Sequence, residues 1–185
     1  PTSERVKIYN YQKMNLDSLF FSVENIKSLG INTPSGDLCA IKSKDGKTYF
    51  TSNRSNNKEI YPGNGRPYMS LYESTWNENS NELSNVKEIK TGTDTKFNDA
   101  TLAFGEDNII YISRNFINKK GKLEAGRGEI SNLQILRGHL DNGVIKELKP
   151  LEFNSKKFNC SHPYVFNNGK SMVFSSDMPG GFGGP

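Results

Sequence analysis

Short apolar runs separated by polar turn residues recur along the chain, and three stretches share one layout. The first has an apolar run at 37–41, then Lys44-Asp45-Gly46-Lys47, then a second apolar run at 48–54. The second has runs at 100–104 and 109–114 around Gly105-Glu106-Asp107-Asn108. The third has runs at 162–166 and 171–177 around Asn167-Asn168-Gly169-Lys170. A run ending in Asp, Asn, Gly and Lys, followed at once by a run of aromatic and β-branched residues, predicts a β-hairpin. Strands are therefore expected at 48–52, 109–113 and 172–176. A third strand is expected at 67–72 and 132–136. A fourth carries a Lys-containing motif near 86–89 and 145–148, with an earlier copy at 26–29.

The spacing is nearly constant. Phe50, Tyr111 and Phe174 recur at intervals of 61 and 63 residues, and Lys27, Lys87 and Lys146 at 60 and 59. A fixed period of this length marks a repeat architecture. Four strands per period with no helical pattern between them predict an all-β fold, with β-propeller blades of four antiparallel strands. Residues 15–28 imitate an amphipathic helix, but read better as strand, loop and strand. The alternation at 6–11 resembles the third strand of an earlier blade. The expected division is the end of a preceding blade at 1–29, blades at 30–90 and 91–149, and the start of the next at 150–185. About three blades do not close a ring, so the chain is expected to be part of a larger propeller. Phe50, Tyr111 and Phe174 are expected to be equivalent and largely buried.

Composition narrows the functional classes. The chain has 185 residues, of which 34% are hydrophobic and 11% aromatic, with a net charge of +4. The positive residues are spread out, and no basic cluster with interleaved aromatics marks a nucleic-acid surface. No apolar stretch reaches membrane-spanning length. No signal peptide is visible, and the chain starts at Pro1. Two cysteines, Cys39 and Cys160, make no disulfide framework and are expected to be buried and not bonded to each other.

The third repeat carries a specific likeness. Ser161-His162-Pro163, Asn168-Gly169-Lys170 and the run from Phe174 through Ser175-Ser176-Asp177-Met178-Pro179 to Gly180-Gly181-Phe182-Gly183-Gly184 resemble the TolB-like β-propeller repeats of Bacteroidetes OmpA-family proteins. The 43–54 segment and Tyr68-Met69-Ser70-Leu71-Tyr72 are similar to the same pattern. The resemblance implies a periplasmic protein associated with the outer membrane. Its family includes a PorE-like component of type IX secretion. It also implies tetratricopeptide repeats before the propeller and a peptidoglycan-binding domain after it, so peptidoglycan would be reached only through domains outside these residues. The family's usual Thr-Asp-Ile-Tyr after the glycine-rich loop is not present in these residues.

Catalytic chemistry is sparse. His139 and His162 lack partners at metal-ligand spacing, and Cys160-Ser161-His162 offers too few ligands for zinc. The glycine-rich run at 179–184 is not followed by Gly-Lys-Ser/Thr and reads as a turn. Asp45, Asp107 and Asp177 lie in or beside turns, where Asp is favoured for backbone hydrogen bonding. No cofactor and no metal are expected. Arg54, Arg114 and Asp177 end the three second strands and are expected to pair between blades, with a polar binding rim as the alternative. The long loops at 55–66 and 115–128 are left for function. They lead to an expected non-catalytic scaffold that binds a periplasmic or outer-membrane protein through Arg54, Tyr61, Arg66 and Phe182. The alternative is a carbohydrate-active or hydrolytic propeller with its site in the loops or in missing blades.

Overall fold

The computed structural model describes residues 30–55, 59–80, 82–92, 97–118, 123–124 and 131–181. Among these there is no helix, and every sheet is antiparallel. The first sheet holds β1 (Asp37–Lys42), β2 (Lys47–Ser52), β5 (Ser70–Asn77) and β6 (Glu82–Glu88) in that order. A small hairpin, β3 (Ile60–Tyr61) with β4 (Arg66–Pro67), interrupts the connection between β2 and β5. The second sheet is a meander of β7 (Asp99–Phe104), β8 (Ile109–Asn115), β9 (Leu133–Asp141) and β10 (Val144–Pro150). A third pair, β11 (Cys160–Phe166) and β12 (Ser171–Ser176), repeats the opening hairpin. None of these sheets closes on itself.

Local chemistry explains the meander. Central strands such as β8, Ile-Ile-Tyr-Ile-Ser-Arg-Asn, are rich in β-branched and aromatic residues that suit a pleated surface. The turns sit in the left-handed region that Asn, Asp and Gly tolerate: Asp107 and Asn108 at φ 52° and 58°, Asn142 and Gly143 at 48° and 75°. Each first-to-second strand pair also carries one bulge. The steps Leu38 to Ile41, Asp99 to Leu102 and Ser161 to Tyr164 each face a step one residue shorter on the partner strand. The third-to-fourth pairs repeat this, with Asn85 and Glu147 at positive φ. A bulge raises the local twist and re-aims backbone groups. At the third bulge His162 has φ 53°, and its N–H donates to Thr101 Oγ1 at 3.2 Å and Ser113 Oγ at 3.1 Å on the neighbouring sheet.

The first two sheets pack around one apolar core. Tyr49, Leu71 and Ile89 meet Leu102, Ile110, Ile112, Leu136, Leu140 and Ile145. The Tyr49 ring meets the Phe104 ring edge-on at 4.9 Å. β11 packs in turn against β7, β8 and β9. Burying each of these side chains contributes about 1.5–3 kcal/mol, the main favourable term for the described sheets.

Several expectations need correction. The second strands form where the hairpin pattern predicts them, but the three aromatics are not equivalent. Phe50 is buried, while Tyr111 and Phe174 are half-buried. In the first sheet Ile41 pairs with Tyr49 and Lys42 with Thr48 before the turn; in the second, Ala103 pairs with Tyr111 and Phe104 with Ile110. Counted from the turn, Tyr111 therefore matches Tyr49, and a one-residue slip moves a side chain to the other face. Cys39 is exposed, because it lies in the first bulge at φ 55°; Cys160 is buried, and both thiols are free. The expected strand at 67–72 is split, with Tyr68 and Met69 between β4 and β5. The strand motifs at 6–11 and 26–29 lie outside the described residues.

Candidate interaction face

The two ends of the sheets differ. Each second strand leaves its hairpin turn at one end and finishes at the other, where the long connections begin. At this loop end one side chain does the same job three times. Asn53 Oδ1 accepts the Gly36 N–H at 2.7 Å, Asn115 Oδ1 accepts the Asn98 N–H at 3.2 Å, and Asp177 Oδ1 accepts the Asn159 N–H at 2.5 Å. The acceptors fall at intervals of 62 and 62 residues, the donors at 62 and 61. A second set joins neighbouring units. Asn98 Oδ1 accepts the Met69 N–H at 3.0 Å, and Asn159 Oδ1 accepts the Leu133 N–H at 2.9 Å. The repeated Phe-Asn pairs at 97–98 and 158–159 are the sequence signal for this lock, which the apolar periodicity does not carry.

The arginines brace the same end from inside. Arg114 binds Asp99 through two hydrogen bonds, at 2.5 and 3.0 Å, with its side chain only 2% exposed. Arg54 binds Asp37 at 2.6 Å and the Ile31 carbonyl at 2.8 Å, and lies over the stacked rings of Phe50 and Tyr72. Each ion pair stays within one unit, tying the first strand to the second strand or to the residues just after it, so the expected pairing between units is corrected. Asp177 pairs with no arginine among the described residues; it takes the place of Asn53 and Asn115. Burial disfavours the charged form of Asp37, but hydrogen bonds from Ser52, Arg54 and the Thr33 N–H outweigh it and hold its pKa below 3.8.

Of the four predicted contact residues, the structure brings two together. Tyr61 and Arg66 face each other across the β3–β4 hairpin. Arg66 is exposed, and the half-buried Tyr61 ring packs on Tyr68 at 5.3 Å, which fixes the hairpin to the sheet. Ile60 beside them is 54% exposed. Arg54 is committed internally, and Phe182 lies outside the described residues. Aromatic and Arg side chains held on a short rigid hairpin lose little freedom on binding, which suits a contact surface.

At the opposite end the three hairpin turns converge on a cleft of about 750 Å³, lined among others by Asp45, Tyr49, Phe104, Glu106, Asn108 and Phe166. The Tyr49 hydroxyl donates to Asp45 at 3.1 Å, and burial with the nearby Asp45 charge raises its pKa above the usual tyrosine range. His162 Nδ1 lies 2.9 Å from Ser161 Oγ, with no carboxylate bonded to the ring among the described residues. No three of His, Cys, Asp and Glu among the described residues gather as a metal site. Comparison with protein families, curated proteins and solved structures finds no match to this chain.

Proposed function

We propose that the chain is a run of propeller blades that serves as a non-catalytic binding module, contacting a protein partner through its loop end. The observation that supports this most is the Asn/Asp lock repeated at 62-residue intervals. It holds the start of each unit against the end of its second strand and so fixes where the long connections emerge. The side chains offered there, Tyr61 and Arg66, suit recognition more than proton transfer or nucleophilic attack at neutral pH. The resemblance of the 161–184 segment to TolB-like repeats of Bacteroidetes OmpA-family proteins supports a periplasmic module at the outer membrane, with type IX secretion or envelope assembly as the setting to test.

The test is co-purification from crosslinked envelopes, comparing the natural chain with a Tyr61→Ala, Arg66→Ala variant. Loss of a specific partner from the variant supports the reading. An unchanged partner set removes the hairpin as the contact. Turnover of a glycan, peptide or ester substrate that a point substitution in this chain abolishes overturns the non-catalytic reading.

A further inference from the structure

The turn end has a different chemistry. The cleft floor is aromatic, formed by the edge-to-face pair of Tyr49 and Phe104 with Leu140 beside them. One wall is the Phe166 ring, 44% exposed. Tyr164 lies beside Phe166 with ring centres 6.2 Å apart and planes 17° apart, and is 62% exposed. The aromatic surface therefore continues outward along β11, beyond the cleft. Above this floor stands a rim of turn side chains, chiefly Asn108, Asn167 and Asn168 with the carboxylates of Glu106 and Asp107. Four of these five, all but Glu106, have φ between 51° and 58°. That conformation closes the turns tightly and gathers short polar side chains at their crests.

A cleft of about 750 Å³ falls in the range of small-ligand sites. Its occupant must offer an apolar face to the rings and a dense edge of both hydrogen-bond donors and acceptors to the amides. The carboxylates of Asp45, Glu106 and Asp107 accept hydrogen bonds from hydroxyls and outnumber Lys44, the cation that lines the same cleft, so the lining disfavours phosphate and sulfate groups. An alkyl or aromatic ligand would leave the rim groups desolvated and unpaired. A pyranose ring has an apolar C–H face and a hydroxyl edge, and the aromatic strip past the cleft suits several linked rings. We infer that the turn end binds a neutral oligosaccharide, stacking sugar rings on Phe166 and Tyr164 with the Asn108, Asn167 and Asn168 amides on the hydroxyls. This inference rests on the reading of the chain as a binding module and adds a second ligand at the end away from the protein contact.

The experiment uses calorimetry on the whole chain with chitohexaose, cellohexaose and mannohexaose, and with hexalysine as a cationic probe. Each mixture is also checked for released shorter sugars. At least one neutral hexasaccharide is expected to bind, intact, more tightly than its monosaccharide. Phe166→Ala and Glu106→Ala should each weaken it at least tenfold, and the distant Leu38→Ala should not. Circular dichroism of the variants separates lost binding from lost fold; if Phe166→Ala unfolds, the exposed Glu106→Ala and Tyr164→Ala carry the test. Absence of binding by all three hexasaccharides, binding indifferent to these substitutions, or binding of hexalysine alone overturns the inference. Release of shorter sugars overturns the non-catalytic reading instead.

Discussion

Asp177 stands to Asn159 as Asn115 stands to Asn98: its side-chain oxygen accepts the backbone N–H that precedes the first strand of the unit. The Asn159 side chain adds a second bond to Asp177 at 3.2 Å. Asn115→Asp keeps the acceptor oxygen for the Asn98 N–H but loses the Nδ2 donor to the Ser131 carbonyl, so it is expected to lose only part of the stability that Asn115→Ala loses. Asn115→Ala strands the Asn98 N–H and the Ser131 carbonyl that Asn115 also binds, at a cost of about 1–3 kcal/mol. Urea denaturation of the two variants measures the difference; equal losses would show that the side chain acts through packing.

The Arg114–Asp99 pair is the most deeply buried ion pair among the described residues. Breaking it leaves one charge without its partner in the interior. Arg114→Met is expected to cost about 3–5 kcal/mol. Adding Asp99→Leu removes the stranded carboxylate and is expected to recover much of that loss. A double substitution no more stable than Arg114→Met alone would contradict the pairing.

The two thiols should behave differently. Cys39 is exposed, whereas Cys160 is buried, and burial raises its thiol pKa despite the contact with Ser176. The thiolate is the reactive form. A chromogenic thiol reagent at neutral pH is expected to modify one group at once and the other only on unfolding. Two fast thiols would show that β11 is not packed against the second sheet.

Stability should fall at both ends of the pH scale. Asp37, Asp141 and Asp177 have pKa values held below 3.8; the latter two owe this first to the Lys146 hydrogen bond and to the Asn159 N–H respectively. A carboxylate whose folded pKa is depressed contributes stability that is present above its unfolded pKa and lost as pH falls through the folded one. The acid loss therefore begins near 3.8 and grows below it. Tyr72, pushed by burial and then by the Glu88 charge up to about 12, acts oppositely. Its contribution is complete below the ordinary value of 10.0 and is lost as pH rises toward about 12. Urea midpoints across this range check both arms; Asp37→Asn should flatten the acid one and Tyr72→Phe the alkaline one.

The hairpins were legible because turn residues and apolar runs are local signals. The phase of Phe50 against Tyr111 was not, because 61 residues separate them while the lock residues Asn53 and Asn115 are 62 apart, and a side-chain period of two turns that one-residue offset into opposite faces. The start of β6 at Glu82, ahead of the apolar motif, follows from strand pairing with Trp76 and Asn77; backbone hydrogen bonds extend a strand through polar residues. The pairing of Arg54 with Asp37 and Arg114 with Asp99 spans 17 and 15 residues. Only the folded hairpin shows that these charges meet inside one sheet. An aromatic and an arginine in a long loop mark Tyr61 and Arg66 as contact candidates in the sequence; the small hairpin that aligns them leaves no trace there, since two-residue strands carry no periodic signal.

On the proposed reading the loop end, not the turn end, carries the protein contact. Hydrogen exchange of the chain alone and with the partner recovered from envelopes tests it most directly. Slowed exchange is expected at 59–67 and 115–118 in the complex, with 43–46, 105–108 and 167–169 unchanged. Protection confined to those three turns, with the β3–β4 hairpin exchanging as in the free chain, would contradict it.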